Sequence, residues 1–340
     1  MSRAVVALLV TALASLLAVA DPVRTPPEHR RGEEQTFLTF PEWYLVHSPT
    51  ELAQFLAAKR PSSEFPWGGH IAQFWQGYGA VTRETSAYPF NGGYHVMVSV
   101  IGSSTTVEYG LRLAYESTVG RIAEATSDGV PTPEDKLAAR VAQDYVDFIR
   151  IDPWYLFDFV SPLRELWGST TATGPNLVRK WERRFALSTE YLVKAGYAWL
   201  IKLGTQSVYD AARPVTAVVL DRAPPPLPPD LRELHHVGGN DGIVVTVPRY
   251  RAFTQYAQAM ARQGLAFKEI AGNRGLIVAS VIERAGAAHP ESPQRMLFVQ
   301  PVLTQPGWER RVIALPVGEL ASQLRRWHAT DTKLEHIYDY

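Results

Sequence analysis

Apolar residues are distributed very unevenly along this chain. From Ala4 to Ala20 no residue is charged; Arg3 precedes the run and Ala18-Val19-Ala20 closes it before Asp21-Pro22. A basic start, an apolar stretch and a small-residue Ala-x-Ala site in that order make a secretory targeting segment. As a helix the run spans about 25 Å at ~1.5 Å per residue, short of the ~30 Å of membrane hydrocarbon. Residues 1–20 therefore read as a signal peptide or a membrane anchor, with the body exported, periplasmic or held at the inner membrane. Residues 21–35, polar and proline-containing, read as a linker. The folded body opens at Thr36 with Phe40-Pro-Glu-Trp-Tyr-Leu-Val46, too apolar and aromatic to stay exposed.

Helical patterns follow over Gly69–Glu84, Tyr94–Ala125, Pro133–Ile151 and Leu177–Tyr209, with a shorter one at Pro153–Trp167. Pro133 sits just inside its helix start after Thr132, where a missing N–H costs nothing. In the last long segment Val178, Trp181, Phe185, Leu192, Ala195, Trp199 and Leu203 recur at spacings of three, four and seven, the apolar face of an amphipathic helix. Arg222-Ala-Pro-Pro-Pro-Leu-Pro-Pro229 fits neither helix nor inner strand and reads as a stiff linker. Beyond it the period changes: strands at Gly242–Val247, Ala266–Ile270, Leu276–Ile282, Arg295–Val302, Glu309–Leu315 and Leu334–Tyr338, and helices at Arg249–Gln263 and Val317–His328. The expectation is an α+β protein, with an aromatic-rich helical domain over 36–221, a proline-rich linker over 222–229 and a ferredoxin-like α+β sandwich over 230–340. No long internal repeat is legible.

Composition narrows the function more than it defines it. Lys plus Arg and Asp plus Glu are equal at 34 each, so no basic excess favours a nucleic-acid partner. Only seven of the basic residues are Lys, an arginine bias typical of GC-rich bacterial genes. Cysteine is absent, which removes disulfides and thiolate chemistry. The glycine clusters form neither Gly-x-Gly-x-x-Gly nor a Walker loop, so no nucleotide cofactor is expected. Gly102-Ser-Ser-Thr-Thr106 lacks the Gly-x-Ser-x-Gly elbow of a hydrolase.

Candidate chemistry lies mainly in the helical part; outside it, His235-His236 and Glu335-His-Ile-Tyr-Asp-Tyr340 place histidines and carboxylates near strand ends where a metal could bind, although the adjacent His235 and His236 point to opposite faces of a strand. His70, His95 and Glu108 are the candidate catalytic or metal-binding residues, since bundles build metal sites from inward carboxylates and histidines. A Glu108 buried in the apolar stretch after His95 would have a raised pKa and could serve as acid or base. The Glu-x-x-His pair of di-metal sites is missing, and helical ion pairs account for the acids: Glu108–Arg112, Arg112–Glu116, Arg140–Asp144 and Glu190–Lys194 are each four apart. Trp154, Tyr155, Phe157 and Phe159, bracketed by Pro153 and Pro162, form a short aromatic segment of the kind that touches a membrane surface or partner. Seven of the nine tryptophans precede the proline-rich stretch.

Phe40–Val46, with Gly69-His-Ile-Ala-Gln-Phe-Trp-Gln-Gly-Tyr78 and Gly93-Tyr-His-Val-Met97, resembles a group of uncharacterised bacterial envelope proteins that carry an N-terminal hydrophobic segment. The resemblance implies an envelope location and no activity or site. Two functions fit the sequence: a non-enzymatic envelope protein that binds a partner, ligand or membrane surface, or a metal-dependent or acid/base enzyme with its site in the helical domain.

Overall fold

The structure, a computed structural model, describes residues 23–208, 214–224, 226, 228–229, 231–236, 242–287, 294–330 and 332–338. The run Ala4–Ala20, read as signal peptide or anchor, lies outside them. The aromatic opening is a helix, α1 (Thr39–Ala57). Pro41 falls in its first turn, where the backbone N–H has no intrahelical acceptor, while Pro49 inside the helix obscures the pattern in the sequence. Then come α2 (Trp67–Glu84) and α3 (Gly92–Tyr115), which approach closely at Gly102, where a Cβ would lie 2.2 Å from the Phe74 ring. The single helix expected over Tyr94–Ala125 is interrupted by a π-turn at Glu116–Gly120 before α4 (Arg121–Ala125). Thr132 and Asp135 form a reciprocal capping box at the start of α5 (Pro133–Ile149). A 3-10 turn at Trp154–Leu156 leads to α6 (Val160–Ser169), and α7 (Leu177–Val208) completes the helical part.

The rest of the chain is α+β, helices layered on antiparallel strands, and the strands form two sheets. β1 (Val215–Leu220), β2 (Arg232–His236), β3 (Ile243–Pro248) and β4 (Phe267–Ile270) lie in the order β2-β3-β1-β4, with α8 (Arg251–Arg262) before β4. β5 (Leu276–Arg284), β6 (Arg295–Pro301), β7 (Trp308–Pro316) and β8 (Lys333–Tyr338) lie in the order β6-β7-β5-β8, with α9 (Leu320–His328) before β8. The same β-β-β-α-β unit thus occurs twice, with every pairing antiparallel. Even the irregularities recur: the register slips between Val245 and Val244 of β3 against β2, and between Ile313 and Val312 of β7 against β6. This corrects the absence of a repeat inferred from sequence, because what repeats is strand order and bulge position rather than residue identity.

Val218, Leu220 and Val245 of the first sheet, Ile277, Ala279 and Ile313 of the second, Phe253 and Met260 of α8, and Leu324 and Trp327 of α9 share one core. Alternate residues face outward. Those of the second sheet, Val278, Val312, Ala314 and Tyr338, are covered by Phe37, Leu38, Phe40 and Val81 of the helical part. Those of the first, Ala217, Val219 and Val244, meet Val23. Two boundaries differ from the sequence reading. β1 precedes the proline-rich stretch, so Val215–Leu220 belong with the sheets and not with the helices. Within residues 21–35, Thr25 N donates to Glu269 Oε1 at 2.9 Å and Arg31 N to the Ala271 carbonyl at 3.0 Å, so the expected linker is a strap laid on the first module.

Candidate functional site

Tyr44, His47 and Glu51 stand at i, i+3 and i+7 of α1, on one helical face, and that face meets the second sheet. Arg310 of β7 donates to both oxygens of Glu335 at 2.7 and 2.9 Å and to Glu51 Oε1 at 3.0 Å. His47 Nδ1 lies 3.1 Å from Glu335 Oε1, and its Nε2 lies 3.0 Å from the Tyr338 hydroxyl. Tyr44 donates to the His70 carbonyl at 2.6 Å. Burial, reinforced by the Arg310 charge, lowers the pKa of His70 to about 3. His70 is therefore neutral, and the 3.7 Å approach of its Nε2 to Glu51 is not an ion pair. His47 is lowered too, since burial and Arg310 outweigh Glu335. Burial raises Glu51 despite Arg310. At Glu335 burial acts in the same direction, but Arg310 and His47 overcome it and hold the carboxyl well below its usual range. Arg310, His70 and Glu51 are buried at 1%, 1% and 3% exposed, and Glu335 reaches the surface in part. What it can do chemically is clamp the helical part to the sheet.

The three candidate catalytic or metal-binding residues are not brought together. His70 belongs to this clamp. His95 faces Tyr78, with Nδ1 2.9 Å from the hydroxyl, and stacks on Phe90. Glu108 lies thirteen residues further along α3, about 20 Å away at ~1.5 Å per residue. Its pKa is lowered rather than raised: burial pushes it up, but Lys194 at 3.2 Å and then Arg112 outweigh burial. No group of three His, Cys, Asp or Glu that could hold a metal occurs among the described residues.

In the aromatic segment 154–159, expected to touch a membrane surface or partner, Phe159 is buried while Trp154, Tyr155 and Phe157 are half-buried and Leu156 is exposed. Phe159 is buried with Leu137, Val141, Leu166 and Leu187. Phe157 meets the edges of Tyr145 and Phe148, and Trp154 lies against Tyr197. Phe159 is part of the core between α5 and α7, and Trp154 and Phe157 pack against its edge.

The exposed apolar surface lies instead on α3 and α7. The two helices run antiparallel, joined by a ladder: Ser104 with Tyr197, Glu108 with Lys194, Arg112 with Glu190, Tyr115 with Phe185 and Glu116 with Arg183. The pairs Glu108–Arg112, Arg140–Asp144 and Glu190–Lys194 form as expected from their spacing, whereas Glu116 is taken by Arg183 instead of Arg112. Beside the ladder, α3 presents Val96, Val100, Val107 and Leu111, and α7 presents Leu192, Val193, Trp199 and Leu200, all more than half exposed. The first turns of α7 are inside out. Val178, Trp181 and Phe185 face solvent, while Arg179, Lys180, Arg183 and Arg184 are buried on partners: Asp135 at 2.9 Å, the Thr173 carbonyl at 2.8 Å, Glu116 at 2.9 Å and Glu134 at 3.0 Å. A shallow groove of 550 Å³ runs along α3 between Phe90, His95, Val96, Ser99, Val100 and Ser103. The apolar period of α7 was legible in the sequence; that it faces outward was not.

No family model, curated protein or solved structure matches the chain. No helix among the described residues is long and apolar enough to cross a membrane.

Proposed function

We propose that this is a non-enzymatic, exported envelope protein whose body rests on a membrane surface through the outer faces of α3 and α7. The observation that carries the reading is the inverted polarity of α7, with paired charges inward and Val178, Trp181, Phe185, Leu192 and Trp199 outward. Each large apolar side chain left in water forgoes about 1.5–3 kcal/mol of burial, and contiguous apolar patches mark interaction sites. From Gly92 to Val107 the chain carries no Asp, Glu, Lys or Arg, and the charges of the ladder are spent on one another. An apolar face of that kind suits the headgroup boundary, where a helix lies in plane without spanning. The sequence run Ala4–Ala20 supplies delivery or a tether to the same surface.

The test is flotation of the chain from Asp21 onward with phosphatidylcholine vesicles, beside Leu111→Glu/Leu192→Glu. Wild-type protein is expected to float and the double variant to remain in solution with unchanged thermal unfolding. Wild-type protein that stays in solution as a dimer by light scattering, and becomes monomeric in the variant, would assign the face to a second copy and overturn the membrane reading.

A further inference from the structure

We infer that Arg24, Arg30 and Arg274 form a binding site for a phosphate group where the N-terminal strap crosses the first β-β-β-α-β unit. The three guanidiniums, with the carboxylate of Glu269, line a cavity of 180 Å³. Two of them are held in place by a single edge. Arg30 donates through Nε to the Thr25 carbonyl at 2.8 Å, and Arg274 through Nε to Glu269 Oε2 at 2.6 Å. Among the described residues neither Arg30 nor Arg274 has a further hydrogen-bond or ion-pair partner, so the Nη groups of both remain unspent, and Arg24 makes no side-chain hydrogen bond or ion pair.

A guanidinium fixed through Nε still presents its terminal N–H groups in the geometry that takes two phosphate oxygens at once. Fixing it beforehand removes part of the ordering cost of binding. The backbone is shaped for the purpose as well: Gly272 adopts φ +89°, and a Cβ there would lie 3.0 Å from Cγ of Arg30, so the arginine stem lies directly on the turn. Glu269 already accepts from Thr25 N and Arg274. Three cations to one anion leave the cavity positive. The small volume excludes a nucleotide-sized ligand, and three cations to one anion favour a doubly charged phosphate over a singly charged carboxylate, which the fork geometry alone would accept as well. It can belong to a lipid headgroup or to a soluble phosphate, and the site is separate from α3 and α7.

The experiment measures the Tm of the full chain in detergent micelles, with inorganic phosphate against chloride at matched ionic strength, and with micelles doped with phosphatidic acid. A saturable rise in Tm is expected, corresponding to about a 100-fold gain in the folding constant at 100 times Kd. The rise should vanish in Arg24→Gln/Arg30→Gln and weaken about tenfold in Arg24→Gln alone, which breaks no contact of the fold. A response to phosphatidic acid alone identifies a headgroup, and a response to inorganic phosphate alone a soluble ligand. No response to either, or a response undiminished in the variants, overturns the site.

Discussion

Arg310 is held between two carboxylates at a largely buried contact, and the charge balance there governs how α1 stays on the second sheet. Removing one member leaves a buried charge without its partner, so Glu335→Gln is expected to cost about 3–5 kcal/mol. The triple change Arg310→Met/Glu51→Gln/Glu335→Gln should recover most of that loss, as urea unfolding would show. The histidines add a pH dependence with a definite sign. His70, with its pKa lowered to about 3 in the folded protein, stays neutral while the unfolded chain takes up a proton near pH 6.5. The unfolded state therefore binds more protons between those values, and stability falls as pH drops through that window, about tenfold in the folding constant per pH unit. Glu51 shifts upward and opposes this trend. The comparison to make is wild type against His70→Gln at pH 7.5 and 5: the variant should lose less stability on acidification, and an equal loss would show that His70 does not titrate in this way.

For the elements, periodicity identified the faces but not what covers them. The spacing of Val178, Trp181, Phe185, Leu192 and Trp199 marks an apolar stripe as clearly in an inverted helix as in an ordinary one, because a stripe carries no information about which side its neighbours occupy. The reverse occurred at Trp154–Phe159, where exposed-looking rings between prolines fold back onto α5. The two segments should accordingly respond in opposite ways to charge. Phe157→Glu places a carboxylate among Tyr145, Phe148 and Phe159 and is expected to cost several kcal/mol of stability. Leu192→Glu on the outer face should change stability by less than about 0.5 kcal/mol. Circular-dichroism melts of the two variants separate these outcomes. The strand and helix positions after Gly242 were legible from period and turn chemistry, whereas β1 and β2, flanking the proline-rich stretch, were not, because the prolines dominate the local pattern.

At the scale of the whole molecule, the proposed export has a direct check: alkaline phosphatase fused after Gln35 should be active in bacteria that carry the full N-terminus and inactive when Ala4–Ala20 are deleted. Equal activity in both would remove export from the account. The clamp around Arg310 and the repeat of the two sheets were invisible in the sequence for the same reason, since both rest on contacts between separate elements, such as Arg310 with Glu51 from 259 positions away, that no local spacing encodes. The repeat reaches further than architecture. Two units of identical strand order, joined through α8 and α9 over a common core, leave the chain with two outward sheet faces of the same make. One face accepted the helices and the other the arginine-bearing strap, so the asymmetry of this protein resides in its coverings and its symmetry in what they cover.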